Sequence, residues 1–146
     1  MKRVLVLGLC TAVFCATRAA EPLDLDALRG RVVYLDFWAS WCGPCRQSFP
    51  WMQKMVDAYG DRGFTVVAVN VDADRVAADE FLRRFHSTFD LRFDPKGELP
   101  ERYDVKGMPA SFLIDRRGVT RYRHVGFVPA DEVKYEAQLR ELLAEP

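Results

Sequence analysis

Two neighbouring stretches decide the fold, VVYLDFW at Val32–Trp38 and WCGPC at Trp41–Cys45. The first is almost wholly apolar, which is typical of a strand buried on both faces. The segment after the second predicts an amphipathic helix, because apolar residues recur at spacings of three and four: Phe49, Met52, Val56 and Tyr59. The two cysteines therefore lie where a buried strand passes into a helix. A Cys-x-x-Cys pair within such a strand–helix–strand pattern indicates redox chemistry.

The positions of the two cysteines predict different roles. Cys42 falls at or just before the first helical turn, where unpaired N–H groups and the helix dipole stabilise a thiolate. Cys45 lies three residues later on the same side, so it can close a disulfide with Cys42. Gly43 adds no bulk between them, and Pro44 suits a first turn. We expect Cys42 to attack a substrate disulfide and Cys45 to resolve the mixed disulfide.

Two other interpretations of the pair stay open. A purely structural disulfide between residues three apart closes a very small loop and gives little entropic stabilisation. A zinc site normally needs four ligands, and the two histidines, His86 and His124, are far away in the sequence. Copper bound by the two thiolates alone is the metal interpretation that remains. The preferred redox interpretation requires no metal and no cofactor.

Asp36 is an ionisable residue in the middle of the apolar strand. Burial costs an unpaired carboxylate several kcal/mol, and it raises the carboxyl pKa, as a nearby thiolate would. Asp36 lies six residues before Cys42, so the strand end and the helix start bring it beneath the pair. We expect it to exchange a proton with Cys45, directly or through a water. A hydrogen-bonded structural aspartate is the alternative.

Two motifs resemble the thioredoxin superfamily. FWASWCGPCR at Phe37–Arg46 is similar to its signature, and GMPASFLID at Gly107–Asp115 is similar to the cis-proline strand of the TlpA/ResA type. Proteins of that type are periplasmic or extracytoplasmic thiol-disulfide reductases. The resemblance covers about residues 25–145. It implies an α/β, thioredoxin-like fold with a central mixed β-sheet flanked by helices, and with a central insertion at residues 72–108.

The resemblance also implies a substrate-binding surface. Pro109 would follow a cis peptide bond, and a proline there has no N–H and little bulk to cover the sulfur pair. The backbone of Met108 would pair with an extended substrate strand. Trp41 would form an apolar rim beside Cys42, and Gly43 and Pro44 would complete the surface.

This sequence departs from the ResA pattern at one point. Many ResA-type reductases have a glutamate three residues after the second cysteine and an uncharged residue in the strand. This chain has Ser48 and Asp36 at those positions. We therefore expect the carboxylate to approach the cysteines from the strand, as the matching aspartate of thioredoxin does, and no acid–base residue on the helix.

Hydrophobic patterning predicts the remaining elements. Leu23–Leu25 is predicted as an edge strand ahead of a turn. Later elements are predicted as follows: a core strand at 64–71, a helix at about 76–89, a strand at 91–93, helical turns at 98–103, a hairpin of 111–115 with 119–125, and a helix at about 129–144.

Side-chain roles in these elements follow from spacing. The helix at 76–89 is expected to bury Phe81, Leu82, Phe85 and Phe89, and the last helix Val133, Leu139, Leu142 and Leu143. Asp72 and Asp74 are interpreted as N-terminal caps. His86 is expected to be solvated, and His124 is given no role.

The N-terminus predicts export. Lys2 and Arg3 precede the uncharged apolar run Val4–Ala16, and small residues follow near positions 19 and 20. This is typical of a signal peptide at 1–20, which leaves a thioredoxin-like domain at 21–146. An uncleaved anchor and lipidation of Cys10 or Cys15 are the less favoured alternatives. The localisation expected is the periplasm.

Charge and cysteine content narrow the class of protein. The chain has 21 basic and 21 acidic residues; without residues 1–20 these become 18 and 21, a net charge of −3. This balance does not indicate binding to nucleic acid. The exported part keeps only the Cys42–Cys45 pair, which is typical of a redox protein rather than a disulfide scaffold. We expect one domain and a monomer.

The sequence therefore predicts a protein-disulfide reductase. Clients would be disulfide-bearing proteins, and the resemblance implies apocytochrome c or copper-site cysteines. A membrane thiol donor would re-reduce the pair, because an oxidising compartment does not. The alternatives are a thiol oxidant or isomerase, a copper chaperone that uses the same two cysteines, and a peroxide reductase.

Overall fold

The computed structural model describes residues 23–146, and its centre is one five-stranded sheet. The strands are β1 (Val32–Trp38), β2 (Phe64–Asn70), β3 (Asp90–Phe93), β4 (Ala110–Ile114) and β5 (Thr120–Val125). Their order across the sheet is β3-β2-β1-β4-β5. The pairs β1–β2 and β2–β3 are parallel, whereas β1–β4 and β4–β5 are antiparallel. The predicted mixed sheet is confirmed.

Within residues 23–146, four α-helices pack on this sheet: α1 (Cys45–Tyr59), α2 (Arg75–Leu82), α3 (Glu98–Arg102) and α4 (Glu132–Ala144). Every residue of β1 is buried, because alternate side chains enter apolar clusters on opposite faces of the sheet. Val32, Tyr34 and Trp38 face the cluster that contains residues of α1, α2 and α4. The opposite cluster receives Val33, Leu35 and Phe37, and Leu99 of α3 packs against it. β1 is thus the central, doubly covered strand that its sequence predicts.

The edge strand predicted at Leu23–Leu25 is wrong. Asp24 Oδ1 accepts hydrogen bonds from the N–H groups of Asp26 and Ala27 at 3.0 and 3.3 Å, and the chain turns into a short 3₁₀ helix at Asp26–Leu28. This side-chain bond offers the backbone an alternative to a strand ladder. The edge strands of the sheet are β3 and β5, and Leu23–Leu25 pairs with neither. The leucines instead pack on the second apolar cluster.

The predicted helix at 76–89 is too long, since α2 ends at Leu82. The N–H groups of Arg84 and Phe85 donate to the carbonyls three residues before them, which turns the chain out of the helix. Thr88 N–H then donates to Gln53 Oε1 of α1 at 2.8 Å. Phe81 and Phe89 are nevertheless buried in one cluster, as expected. The apolar spacing therefore identified core residues but not the helix end.

The last helix buries a different residue near its start from the one predicted. Val133 is 81% exposed, whereas Tyr135 is buried together with Leu139, Leu142 and Leu143. These buried positions follow one another at spacings of four, three and one, and they lie on one helical face. Val133 is two residues before Tyr135, so it lies on the opposite side of α4.

Leu139→Ala is expected to lower the free energy of unfolding by about 2–5 kcal/mol, because it leaves a cavity between α4 and the sheet. Leu139 is 1% exposed. The matched control is Val133→Ala on the same helix, which should change stability by no more than about 0.5 kcal/mol. Urea denaturation of the two variants measures the difference. Equal effects would contradict this orientation of α4.

The predicted signal peptide, residues 1–20, lies outside the described residues, as does the start of the predicted domain at residues 21 and 22. Between residues 23 and 146, none of the helices combines the length and the apolar character needed to span a bilayer.

Candidate functional site

The two cysteines lie at the N-terminus of α1, joined by a disulfide. Cys45 is the first residue of the helix and Pro44 is its N-cap, so Cys42 lies just before the first turn, as predicted. The N–H of Cys45 donates a hydrogen bond to Cys42 Sγ at 3.3 Å. This N–H is one of the first donors of the helix, which have no partner within it. A thiolate on Cys42 would accept this bond and face the positive end of the helix dipole.

Solvent access distinguishes the two sulfur-bearing residues. Cys45 is fully buried, and Cys42 keeps 4% of its surface exposed. Gly43 and Pro44 between them are exposed, and the Trp41 side chain projects outward with 68% exposure. An incoming disulfide therefore reaches Cys42 first, beside an indole ring and a short exposed turn.

The Met108–Pro109 segment lies at the same end of the sheet as the cysteine turn. Ala110 pairs with Phe37 near the end of β1, and the WCGPC turn follows that end directly. The Met108–Pro109 bond is cis, as the resemblance implies. Met108 packs against the apolar cluster that contains Cys42 and Cys45. The Pro109 carbonyl accepts a hydrogen bond from Gly126 N–H at 2.7 Å, which ties the segment to the end of β5.

Asp36 is buried at the centre of β1, and neither carboxyl oxygen has a hydrogen-bond partner among residues 23–146. Burial raises the pKa of Asp36 well above its usual range, because the charged form loses its hydration. Alternation along β1 puts Asp36 on the same face as Tyr34 and Trp38. That face packs against the cluster containing Cys42 and Cys45. A buried, unpaired carboxyl on the dithiol side of the sheet has the features of a proton-transfer group.

Next to Asp36, Tyr34 and Ser111 form a buried hydrogen-bonded pair that the sequence analysis did not predict. Tyr34 donates its hydroxyl hydrogen to Ser111 Oγ at 2.7 Å, and Ser111 is the residue opposite Asp36 on β4. Burial, followed by the neighbouring Asp36 carboxylate, raises the pKa of Tyr34, so the phenol stays neutral. The pair is 77 residues apart in the sequence, and nothing in the two stretches that contain Tyr34 and Ser111 indicates that they bond to each other.

Asp72 is not the helix cap that its position predicts. Asp74 is the N-cap of α2 and accepts a hydrogen bond from Val76 N–H at 2.9 Å. The buried Asp72 instead accepts hydrogen bonds from the N–H and the hydroxyl of Ser40, two residues before Cys42. An aspartate can either cap a helix or bind a loop, so its residue type does not distinguish the two roles. Ser40 and Asp72 are 32 residues apart, and no local pattern connects them.

Ser48 occupies the helix position where ResA-type reductases have a glutamate. Its hydroxyl is buried and donates to the Cys45 carbonyl at 3.2 Å. The helix position three residues after Cys45 therefore carries a hydroxyl, and the buried carboxyl that faces this side of the sheet is Asp36 on β1.

The histidines lie apart from the cysteines. His86 is exposed, as expected, and His124 Nε2 lies 2.9 Å from Gln138 Oε1 of α4. Burial lowers the pKa of His124. Within residues 23–146, no three His, Cys, Asp or Glu side chains cluster as metal ligands would.

Comparison with known proteins identifies the family. The sequence profile of the Redoxin family matches residues 13–139. Thioredoxin-like protein YneN of Bacillus subtilis is 35% identical over 127 residues, which cover 84% of this chain and 73% of that protein. Thiol-disulfide oxidoreductase ResA of Geobacillus kaustophilus is 31% identical over 110 residues, or 75% of this chain. The chain spans 63% of the length of that ResA, so about three fifths of this relative is matched.

A solved structure agrees with this result. A protein of Chlorobium tepidum, assigned as a thiol:disulfide interchange protein DsbE, superposes with a TM-score of 0.80 at 56% sequence identity. The match covers 82% of this chain and 85% of that one. The profile match, these identities and the sheet topology together show that the chain belongs to the Redoxin family, as a ResA/TlpA-type member of the thioredoxin superfamily.

Proposed function

We propose that the chain is an exported protein-disulfide reductase. The observation that carries the proposal is the hydrogen bond from Cys45 N–H to Cys42 Sγ, made at a helix start where Cys42 keeps 4% of its surface exposed and Cys45 none. This arrangement favours a thiolate on Cys42 and shields Cys45. It separates an attacking sulfur from a resolving one, which a purely structural disulfide does not require.

The reaction is a two-step exchange of sulfur–sulfur bonds. The Cys42 thiolate attacks a client disulfide, forms a mixed disulfide and releases one client thiolate. Asp36 accepts the proton of the Cys45 thiol, and the resulting thiolate attacks Cys42 Sγ. The second client sulfur leaves, and the Cys42–Cys45 disulfide forms. The client gains two electrons, and the chain ends in the oxidised state that the structure contains.

The client would bind on the surface around Cys42. The exposed Trp41 ring, with Gly43 and Pro44, supplies one side of it. Met108 and Pro109 supply the other, where the Met108 backbone would pair with an extended client segment. Pro109 has no N–H of its own to satisfy, so it adds no polar group at the sulfur pair.

The proposed setting is the periplasm, where the chain would act as a monomer. Its clients would be disulfide-bearing proteins such as apocytochrome c or copper-site proteins. A membrane thiol donor would return the pair to the dithiol state, because an oxidising compartment does not reduce it. Export, clients and donor rest on the N-terminal sequence and the family resemblance, and no role with nucleic acid is proposed.

Cys45→Ser is expected to trap the client as a stable mixed disulfide on Cys42, because the resolving sulfur is missing. The variant, expressed in its native host, would be isolated under acid quench and its adducts identified by mass spectrometry. Cys42→Ser/Cys45→Ser is the control that forms no adduct. If Cys45→Ser carries no dithiothreitol-sensitive adduct while the wild type reduces insulin, the two-step assignment is wrong.

The direction of exchange is tested by the redox potential of the pair. Equilibration with dithiothreitol and glutathione buffers should give a reducing value, near that of thioredoxin at about −270 mV. A value near −120 mV, as for a strong oxidant, would favour the oxidase or isomerase alternative.

Copper binding tests the copper-chaperone alternative. Stoichiometric copper binding by the chain, without insulin reduction, would favour it.

A further inference from the structure

The turn that carries the attacking cysteine is held by a buried carboxylate from another part of the chain. Asp72 Oδ2 accepts the Ser40 N–H at 2.8 Å, and Asp72 Oδ1 accepts the Ser40 hydroxyl at 2.9 Å. We call this pair of bonds the Ser40–Asp72 clamp. Asn70 Nδ2 donates a third bond to Asp72 Oδ2 at 2.7 Å, and Asp72 N–H returns one to Asn70 Oδ1 at 3.0 Å. Asp72 is only 7% exposed, and each of its carboxylate oxygens has a donor.

The clamp acts on a short segment that belongs to neither β1 nor α1. β1 ends at Trp38 and α1 begins at Cys45, so residues 39–44 lie outside both elements. The Trp38 carbonyl accepts a bond from Val71 N–H at 3.0 Å, next to Asp72. The Cys42 N–H donates to the Ala39 carbonyl at 3.1 Å, which closes the turn on itself. Ser40 is the residue by which this turn is fixed to the end of β2.

The energetics of these bonds favour a single turn geometry. Hydrogen bonds to a carboxylate contribute about 1.5–3 kcal/mol each, more than those between neutral groups. Removing the donors would leave a buried charge without partners, which is strongly unfavourable. Moving the turn away from Asp72 would therefore break these hydrogen bonds and cost free energy. Two residues further on, Cys42 Sγ is kept at the N–H of Cys45, and Trp41 is kept pointing outward.

We propose that Asp72, acting through Ser40, is a positioning residue for disulfide exchange: it fixes the turn that holds Cys42 Sγ at the start of α1 and Trp41 on the client-binding surface. This inference rests on the proposed function. Asp72 acts through Ser40 and not on the reacting sulfurs themselves, and its effect is on the position of Cys42 Sγ. Small displacements of a reacting group lower rates strongly, by up to about a hundred-fold for 1 Å.

Asp72→Ala is expected to lower kcat/KM for insulin reduction by about ten-fold or more. Asp72→Asn should stay within about three-fold of the wild type, because its amide can donate to the Ser40 hydroxyl while its oxygen accepts from Ser40 N–H. Ser40→Ala, which keeps the N–H bond, should fall between them. The matched control is Asp74→Ala, which removes the α2 cap two residues away and should leave kcat/KM within about two-fold.

A second readout does not depend on any client. The full chain is reduced, and the iodoacetamide rate of the Cys42 peptide is followed across pH by mass spectrometry. Loss of the clamp should raise the apparent pKa of Cys42, because Sγ leaves the helix N-terminus. Asp72→Asn and Asp74→Ala should match the wild type. If the wild type reduced no disulfide, the proposed function would fail, but this titration would still test the clamp.

Three results would overturn the inference. One is that Asp72→Ala and Asp74→Ala have equal effects on kcat/KM and on the Cys42 titration, since the effect would then come from α2. Another is that Asp72→Asn loses as much as Asp72→Ala, since charge rather than position would then be responsible. If Asp72→Ala does not fold, as judged by near-ultraviolet circular dichroism, Ser40→Ala decides alone, and an unchanged titration in it overturns the inference.

Discussion

Replacing Cys42 with serine is expected to lower the rate of disulfide reduction by at least about a thousand-fold, to the uncatalysed background. A serine hydroxyl cannot form the mixed disulfide, and the remaining Cys45 sulfur is fully buried. The measurement is insulin reduction with dithiothreitol as electron donor, together with gel analysis for adducts. No mixed disulfide should accumulate on Cys42→Ser.

Cys45→Ser is the matched control for this prediction, because both variants lose the intramolecular disulfide equally. Any loss of activity that comes only from opening that disulfide would appear in both. The two variants should differ in one property, the formation of an adduct with client. If Cys42→Ser formed mixed disulfides through Cys45 as fast as Cys45→Ser does through Cys42, the assignment of attacking and resolving sulfurs would be reversed.

The parts of the fold that the sequence predicts are those with a strong local signal. The run at Val32–Trp38 predicted β1 with the bounds that the structure has, and the Cys-x-x-Cys motif predicted the pair at the start of α1. The turn residues Arg116, Arg117 and Gly118 marked the β4–β5 hairpin, in which Gly118 has a φ of +82° that suits glycine. Each of these signals lies within a few residues of the structure it specifies.

The parts that the sequence misses depend on partners far away along the chain. Asp72 has the residue type of a helix cap, and only the folded chain shows that Ser40 is its partner. Leu23–Leu25 has the composition of a strand, but the Asp24 carboxylate binds the N–H groups of Asp26 and Ala27 and the chain turns into a 3₁₀ helix. Tyr34 and Ser111 form a hydrogen bond between neighbouring strands although they are 77 residues apart in the sequence. Local patterns specify which residues become buried more reliably than what they contact.

Under the proposed function, Asp36 would connect the stability of the domain to its chemistry. The carboxyl is fully buried and has no hydrogen-bond partner among the described residues, although it lies in the central strand. A sequence selected only for stability would place an apolar residue there. Retaining an acid at this position is the pattern expected where function is maintained at a cost in stability.

Asp36→Asn is expected to make the protein more stable by about 1–3 kcal/mol at alkaline pH and to leave stability nearly unchanged at acidic pH. An unfolded aspartate has a pKa near 3.9, and burial raises the pKa of folded Asp36 well above that value. Between the two values the folded chain holds a proton that the unfolded chain has released. The free energy of unfolding therefore falls as pH rises through this window. Asparagine cannot ionise, so the variant lacks that decline, which urea denaturation across pH measures.

The same substitution is expected to lower the rate of the resolving step by about a hundred-fold near neutral pH, in the range typical of general acid–base catalysis. Without the carboxylate, the Cys45 thiol would lose the base that the proposed function assigns to it. The mixed disulfide on Cys42 should then persist for longer and resolve faster as pH rises towards the thiol pKa. Rapid-quench kinetics with an oxidised peptide separate this step from the initial attack, which should be unaffected.

The paired measurements decide whether Asp36 has a catalytic role. A gain in stability with a slower resolving step means that the carboxyl serves the reaction. A gain in stability with an unchanged resolving rate across pH would show that Asp36 is only an unfavourable buried acid, and the proton would then leave Cys45 by another route. A loss of stability at alkaline pH would mean that Asp36 has a partner when ionised, and that the direction of its pKa shift is wrong.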